Sequence, residues 1–542
     1  MIEFECGCKF KKNEQGFYEF NPNIESLPLE CEATWDMICD GNTKGVFQLE
    51  SQLGQSKAKQ VAPRSIEELS DLVAIIRPGC GDAIVKGKSL TQHYIDRKSG
   101  IDPVVYEPDV RLKAVLESTY GILVYQEQAM QIAQLVAGFS LQQADSLRKA
   151  IGKKNVELMA KVKCEFLQGA KDSGEYTERD AEEIFSWIEK SQKYSFNKSH
   201  SISYALNAYQ TAYAKCHFSD EFFTSYLRHA RDKQKPFIEV AELINNAKIM
   251  SVEVNPPSIK NMNANFSYIN NGPTFGLVDI KNVGQSVYDK LYGYIESKGL
   301  DIENMNWEQF LMRCGRHIKS NSFQSMIISG SLDCYKVDRN EMLHHFSIYK
   351  ELKDNDKVFL EECQSTSLVE CIAQRIAWVM ENQNDGVNRR KKLALLEGSL
   401  SSIENPPYSL KDSWGWRAKG ERDNLGIEVT CYELDEYNMF GSNCTCREYY
   451  SGFTADSISI AARVDDIREW KIRGGQHKGE VMAFLKISDS TCALDNVTVF
   501  SDDWAKIKKN TDIGSFLMLK GERDKKRGSF LVKRVQKLKH CI

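Results

Sequence analysis

A chain of 542 residues has room for three or four domains, and its 42% hydrophobic and 27% charged content is that of an ordinary globular protein. No apolar run approaches the roughly 20 residues that span a membrane and no secretory signal opens the chain, so a cytoplasmic location without a membrane partner is expected. The net charge of -4 argues against wholesale coating of nucleic acid, which leaves local basic surfaces to make any such contact; 16 cysteines without a regular framework suit reduced thiols.

In chain order, residues 1–26 hold Cys6-Gly7-Cys8, too tightly spaced for a paired zinc knuckle, and a hairpin with free thiols is expected there. Gly41-Asn42 supplies a turn, and Gly45 admits an apolar, strand-like segment ending in Gln48, Glu50 and Ser51. Ser65 followed by Glu67 and Glu68 signals a helix start, and Arg77-Pro78-Gly79 ends that helix, because proline disfavours helical geometry at the residue before it. Arg77 therefore stands at a helix terminus, either facing a pocket or pairing with a carboxylate.

Leu135, Phe139, Leu141, Ala144, Leu147 and Ile151 recur at helical spacing. On such a helix Arg148, Lys149, Lys153 and Lys154 share roughly one face, either as a solvated basic stripe or as a cradle for a polyphosphate. An amphipathic helix over 185–193 leads to Asn197, Lys198, Ser199, His200 and Ser201, an unbroken run of polar donors preceded by Tyr194 and Phe196. Tyr204 and Tyr209 behind them serve either as stacking platforms for a base or as core.

Pro256-Pro257 marks a boundary. In the segment 275–291, FGLVDIKNVGQSVYDKL, the glycine in Lys281, Asn282, Val283 and Gly284 allows backbone N–H groups to point outward at a helix N-terminus, a sequence-blind grip on phosphate. Residues 458–538 read as short alternating strands with turns at Gly474-Gly475, Ser488-Asp489 and Arg527-Gly528. Trp470, Lys471, Arg473, Phe484 and Lys486 are candidate contacts there, to a single strand or to a protein. Three paired-carboxylate sequences, Asp354-Asn355-Asp356, Asp465-Asp466 and Asp502-Asp503, read as surface charge, so no catalytic and no metal-binding residue is assigned.

YQEQAMQIAQLVAGFSLQQADSLRKAIGKK and FNKSHSISYALNAYQTAYAK resemble the fingers of the bacterial replicative DNA polymerase III alpha subunits, the C family. GVFQLES (45–51), VAIIRPG (73–79) and HYIDRK (93–98) resemble further blocks of that family, in the family's order; IISGSLD (327–333) and ERDNLGI (421–427) resemble later ones. The 275–291 segment looks like a helix-hairpin-helix module and the C-terminal strands like an OB-fold. The resemblance implies a multidomain, mainly α protein ending in an all-β barrel. It divides the chain into an N-terminal segment and palm–fingers junction (1–44), fingers (45–255), a helix-hairpin-helix duplex-binding region (256–345), a helical connector (346–455) and the OB-fold (456–542).

It further implies that Arg77, Arg148, Lys149, Lys153 and Lys154 hold the triphosphate of a dNTP, that residues 197–201 line its pocket, and that Gln48, Glu50 and Ser51 sit at the palm junction. Cys80 stands where the family has a second proline, which changes the local loop. The family's metal-binding palm aspartates precede the block matched by GVFQLES. The resemblance thus places the Mg2+ ligands on a partner polypeptide that carries the palm and N-terminal domain, as in a split phage polymerase acting on template-primer DNA. Two other readings stay open, a non-catalytic nucleic-acid-binding scaffold and an enzyme with relocated carboxylates. A sliding clamp is a further candidate partner, although residues 364–368 are only a poor copy of a clamp peptide.

Overall fold

A computed structural model of the protein describes residues 2–3, 9–10, 27–153, 156–191, 194–384, 386–474, 476–524 and 528–541, with backbone alone at 2–3, 9–10, 152, 153 and 156. The chain forms two compact units, Met1–Ser219 and Asp220–Ile542.

In the first unit, helices Gln126–Ala137, Leu141–Lys153, Val156–Ser173 and Glu178–Ser191 pack as a lobe around Ile132, Val136, Leu147, Phe166 and Phe185. The continuous helical periodicity expected across 135–151 is broken at Gly138, which takes φ 64° and caps the first of these helices. The break resets the phase: Leu135 and Leu141 are exposed, while Phe139, Ala144, Leu147 and Ile151 form the buried stripe. Gly169 lets two lobe helices touch, since a Cβ there would lie 2.2 Å from the Ala137 carbonyl oxygen.

A second group of helices centres on Lys198–His217, packed on Ile66–Ile75 and Glu32–Cys39. Ala205, Ala208 and Ala212 allow that close packing, and all three are fully buried. Tyr209 is core rather than a stacking platform: it is fully buried and its hydroxyl donates to the Pro28 carbonyl at 2.7 Å. The 45–51 segment is a series of turns, not a strand, with Val46 and Leu49 buried and Gln48 at φ 64°. Cys6 and Cys8 lie outside the described residues, between a short antiparallel pair of strands, Ile2–Glu3 and Lys9–Phe10.

The second unit is helical up to about residue 450 and ends in a closed five-stranded barrel. Two buried ion clusters hold the helical part. Arg339, fully buried, bonds Asp333 at 2.7 Å and the equally buried Glu421 at 2.8 Å, and Arg417 reaches Asp333 at 2.6 Å. The blocks IISGSLD and ERDNLGI are thereby tied together through one arginine. Gly330 at φ 84° makes room for it, because a Cβ there would fall 2.2 Å from Arg339 Nη2. The other cluster corrects a sequence expectation: Asp356 is not surface charge but fully buried, bonded to Arg375 at 2.8 Å and Lys392 at 2.7 Å. Helix Asp354–Glu362 turns it inward, where cations from later helices neutralise it. Leu368, in the segment set against a clamp peptide, is also fully buried.

The barrel runs in the order Phe516–Arg523, Phe530–Lys537, Ala493–Val499, Val481–Ser488, Ile458–Lys471. Its pairings are antiparallel except that of Phe530–Lys537 with Ala493–Val499, which is parallel. Helix Ser501–Ile507 lies between the third and fourth strands in sequence. This is the OB-type barrel expected, with Leu485, Val497, Leu517 and Phe530 filling its interior.

Candidate functional site

The first unit gathers part of the expected nucleotide-binding set at the N-terminus of helix Lys198–His217. Asn197 caps it, its Oδ1 accepting from the His200 N–H at 2.9 Å and the Ser199 hydroxyl at 2.8 Å. Glu127, from the YQEQ block, accepts from Asn197 Nδ2 and the Lys198 N–H, both at 2.9 Å. A short parallel bridge between Tyr125 and Phe196 sets this register, with the Phe196 N–H bonding Val124 O and the Gln126 N–H bonding Phe196 O, each at 2.9 Å.

Beside the cap runs a column of rings. The Arg77 guanidinium sits 4.1 Å from the Phe196 ring centroid, Phe196 is 5.5 Å from His200, His200 is 4.1 Å from Tyr204, and Tyr204 is 5.1 Å from Phe47. No carboxylate pairs with Arg77 among the described residues, and its Nε is buried without a hydrogen-bond partner. Ser199 and His200 are exposed, whereas Ser201 turns inward and donates to the Ser70 carbonyl at 2.7 Å. Cys80 packs its sulfur 4.0 Å from the Tyr194 carbonyl oxygen, and burial pushes its thiol up to about 12.

Arg148 and Lys149 stand on the neighbouring helix, and both are engaged by Asp145: Arg148 Nη2 and Lys149 Nζ each reach it at 2.8 Å. The two cations hold the Asp145 carboxyl below its usual range. No hydrogen bond or ion pair joins them to the 197–201 group among the described residues; the link is helix Gln126–Ala137, which packs on theirs and carries Glu127. Lys154 and the Lys153 side chain lie outside the described residues. Gln48, Glu50 and Ser51 are exposed, and Ser51 caps helix Gln52–Val61; their neighbour Phe47 packs on Tyr204 and donates its N–H to Thr211 Oγ1 at 3.1 Å.

Sequence reasoning missed Lys215. It is fully buried, donating to the carbonyls of Asn42 and Lys44 at 2.8 Å, and burial drives its pKa well down. It pins the loop just ahead of residues 45–51 to the last turn of the long helix. A lone lysine inside the apolar text AYQTAYAK was the available signal.

In the second unit, Lys281, Asn282 and Gly284 are exposed, and Val283 is buried with its N–H donated to the Ile280 carbonyl at 3.0 Å. Asn282, at φ 65°, is braced by its amide on Ser325 at 3.0 Å and by Ser322 on its carbonyl at 2.6 Å. The Lys281 N–H donates to Asn424 O at 2.9 Å, which fastens this turn to the ERDNLGI helix. Gly284 opens helix Gln285–Lys298, with nothing near the place a Cβ would occupy.

On the barrel, Trp470 and Phe484 are half exposed and lie diagonally on one face, Arg468 opposing Phe484 and Trp470 opposing Met482. Lys486 shares that face and reaches Asp495 at 3.4 Å; Arg473 lies 5.3 Å from the Trp470 ring; Lys471 points the other way by strand alternation. Among the described residues, one group of metal-type ligands comes close enough to share a cation: His477, Glu480 and Asp502, exposed on the barrel, where His477 and Glu480 already bond at 3.0 Å.

Residues 9–174 match the family model of the bacterial DNA polymerase III alpha subunit finger domain. The chain is 37% identical over 509 residues to the DNA polymerase III subunit alpha of Aquifex aeolicus, covering 93% of this chain and 38% of that protein. It is 31% identical over 494 residues to that of Thermus aquaticus, covering 88% and 36%, and 35% identical over 498 residues to that of Buchnera aphidicola, covering 89% and 39%. The chain thus spans about two fifths of the length of the curated relatives it matches. Along nearly all of its own length, from the finger domain through a C-terminal OB-type barrel, this chain is similar to the DNA polymerase III alpha subunits.

Proposed function

We propose that this chain is the part of a replicative DNA-directed DNA polymerase that holds the incoming dNTP and the template-primer. The observation that carries the reading is Arg77, a guanidinium without a carboxylate partner among the described residues, stacked on Phe196 beside the exposed Ser199 and His200. A planar cation with free donors next to a helix N-terminus suits a triphosphate. In this reading Arg148, Lys149, Lys153 and Lys154 add charge from the adjacent helix, and fixed cations stabilise the charge that develops on pyrophosphate as it leaves. Gln48, Glu50 and Ser51 meet the palm. The turn at Lys281 and Gly284 holds the duplex backbone, and the Trp470–Phe484 face of the barrel stacks the single strand.

Templated nucleotide addition uses Mg2+ held by carboxylates, which neutralises phosphate charge. The fingers carboxylates around this face do not fit that task. Glu127 is spent on the helix N-terminus, Asp145 on Arg148 and Lys149, and Asp71 on two tyrosines. In this reading the metal ligands come from a palm-bearing polypeptide that works with this chain.

Primer extension by the purified chain, alone and with a palm-bearing protein, tests the proposal. Extension only in the mixture is expected. Extension by the chain alone would put the metal carboxylates within it, and DNA binding without extension in either sample would reduce it to a scaffold.

A further inference from the structure

Three blocks of the fingers sequence converge on a single buried carboxylate. Asp71, on helix Ile66–Ile75, is 4% exposed. Its Oδ1 accepts from the Tyr125 hydroxyl at 2.6 Å and its Oδ2 from the Tyr94 hydroxyl at 2.8 Å. Tyr94 comes from HYIDRK and Tyr125 from the YQEQ block. The Tyr125 proton is committed to Asp71, so in the 2.9 Å contact between Ser70 Oγ and the Tyr125 oxygen the serine is the donor. Ser70 in turn offers its carbonyl to Ser201 of the NKSHS run at 2.7 Å. Lys198, from the same run, has its Nζ 5.7 Å from the Tyr125 ring and acts on Asp71 as a cation.

An ionised carboxylate only accepts, so it fixes the direction of every bond in this chain of hydroxyls. Protonated, it becomes a donor, and one of the tyrosines must turn away or reverse. Burial pushes Asp71 up to about 6, opposed by the two tyrosine hydrogen bonds and by Lys198 and reinforced by Glu68. Glu68 is itself held by Lys98 and the Tyr120 hydroxyl, each at 3.1 Å, and Tyr120 meets the Tyr94 ring edge-on at 5.2 Å.

We infer that Asp71, in its ionised form, is a positioning residue for the nucleotide-binding face, fixing the hydroxyl network behind Ser201 and holding Lys198 over Tyr125. The inference rests on the reading of the fingers as a dNTP site. Its consequence is that dNTP affinity weakens as pH falls through about 6.

The test measures binding of a fluorescent dNTP analogue to the full chain from pH 5 to 8.5. Wild type is expected to lose about three- to tenfold in affinity across that midpoint, the size of one disturbed charge-assisted contact. Asp71→Asn should bind weakly at every pH and show only the titration of the nucleotide itself. Tyr94→Phe removes a donor that favours the ionised form, so its midpoint should move upward. An Asp71→Asn chain that matches wild type at pH 8, or a wild-type profile with no step beyond that of Asp71→Asn, overturns the inference. If wild type binds no dNTP at any pH, the nucleotide reading fails, and hydrogen exchange of the amides of residues 201–205 decides the positioning role separately. Faster exchange in Asp71→Asn at pH 8 supports it; equal rates overturn it.

Discussion

The Arg77 guanidinium lies 4.1 Å from the Phe196 ring centroid, so the cation at the end of one helix is oriented by an aromatic just ahead of another. Phe196→Leu keeps the charge and removes the platform. It should weaken dNTP binding about fivefold, in line with a contact worth roughly 1 kcal/mol, while Arg77→Lys should weaken it further because an ammonium can neither stack flat nor present a planar fork. Equilibrium titration with a fluorescent dNTP analogue measures both.

Asp145 holds Arg148 and Lys149 in exposed ion pairs that solvent already weakens. Asp145→Asn frees both cations and should tighten dNTP binding about two- to fivefold, with a larger effect at low ionic strength. The pair Lys153→Ala with Lys154→Ala should instead raise the KM for nucleotide while leaving duplex affinity nearly intact. Equal losses of both affinities would show that the basic cluster holds DNA.

Arg339→Met should destabilise the second unit by about 3–5 kcal/mol, because it leaves Glu421 buried without its cation. Adding Glu421→Gln should recover part of that loss, a non-additivity that urea unfolding of the single and double variants will detect.

His345 is 5% exposed, and its Nδ1 accepts from the Trp307 indole N–H at 3.2 Å. Burial, with His344 adding to it, pulls its pKa from 6.5 down to about 4. Between those values the unfolded chain binds a proton that the folded chain refuses. Stability should therefore fall as pH drops from about 6.5 to 4, by on the order of 3 kcal/mol. His345→Gln should remove that slope from the pH dependence of the melting temperature. Asp71 has the opposite sign, since its raised pKa favours the folded first unit at low pH.

What the sequence made legible was local chemistry with a motif around it. Ser65 at a helix start, the proline stop after Arg77, the donor run 197–201 and the alternation of the barrel strands all depend on neighbours within a few residues. Long-range compensation was hidden. Lys215, Arg339 and Asp356 look like surface charges in text, and only the fold shows that they are received by carbonyls or counter-ions as far as 173 residues away. Likewise the apolar 45–51 segment reads as a strand, yet buried Val46 and Leu49 are reached by tight turns around Gln48. Asp71 escaped notice for the same reason, as a carboxylate in an apolar helix whose tyrosine partners lie 23 and 54 residues on.

The bridge between Tyr125 and Phe196 brings the start and the finish of the four-helix lobe to one doorway. Seventy-odd residues leave and return through that doorway, so the lobe is built like a cassette on a short two-strand stem. Exchanging it for the corresponding piece of a relative calls for cuts on both strands of the stem, with Glu127 and Asn197 travelling as a matched set.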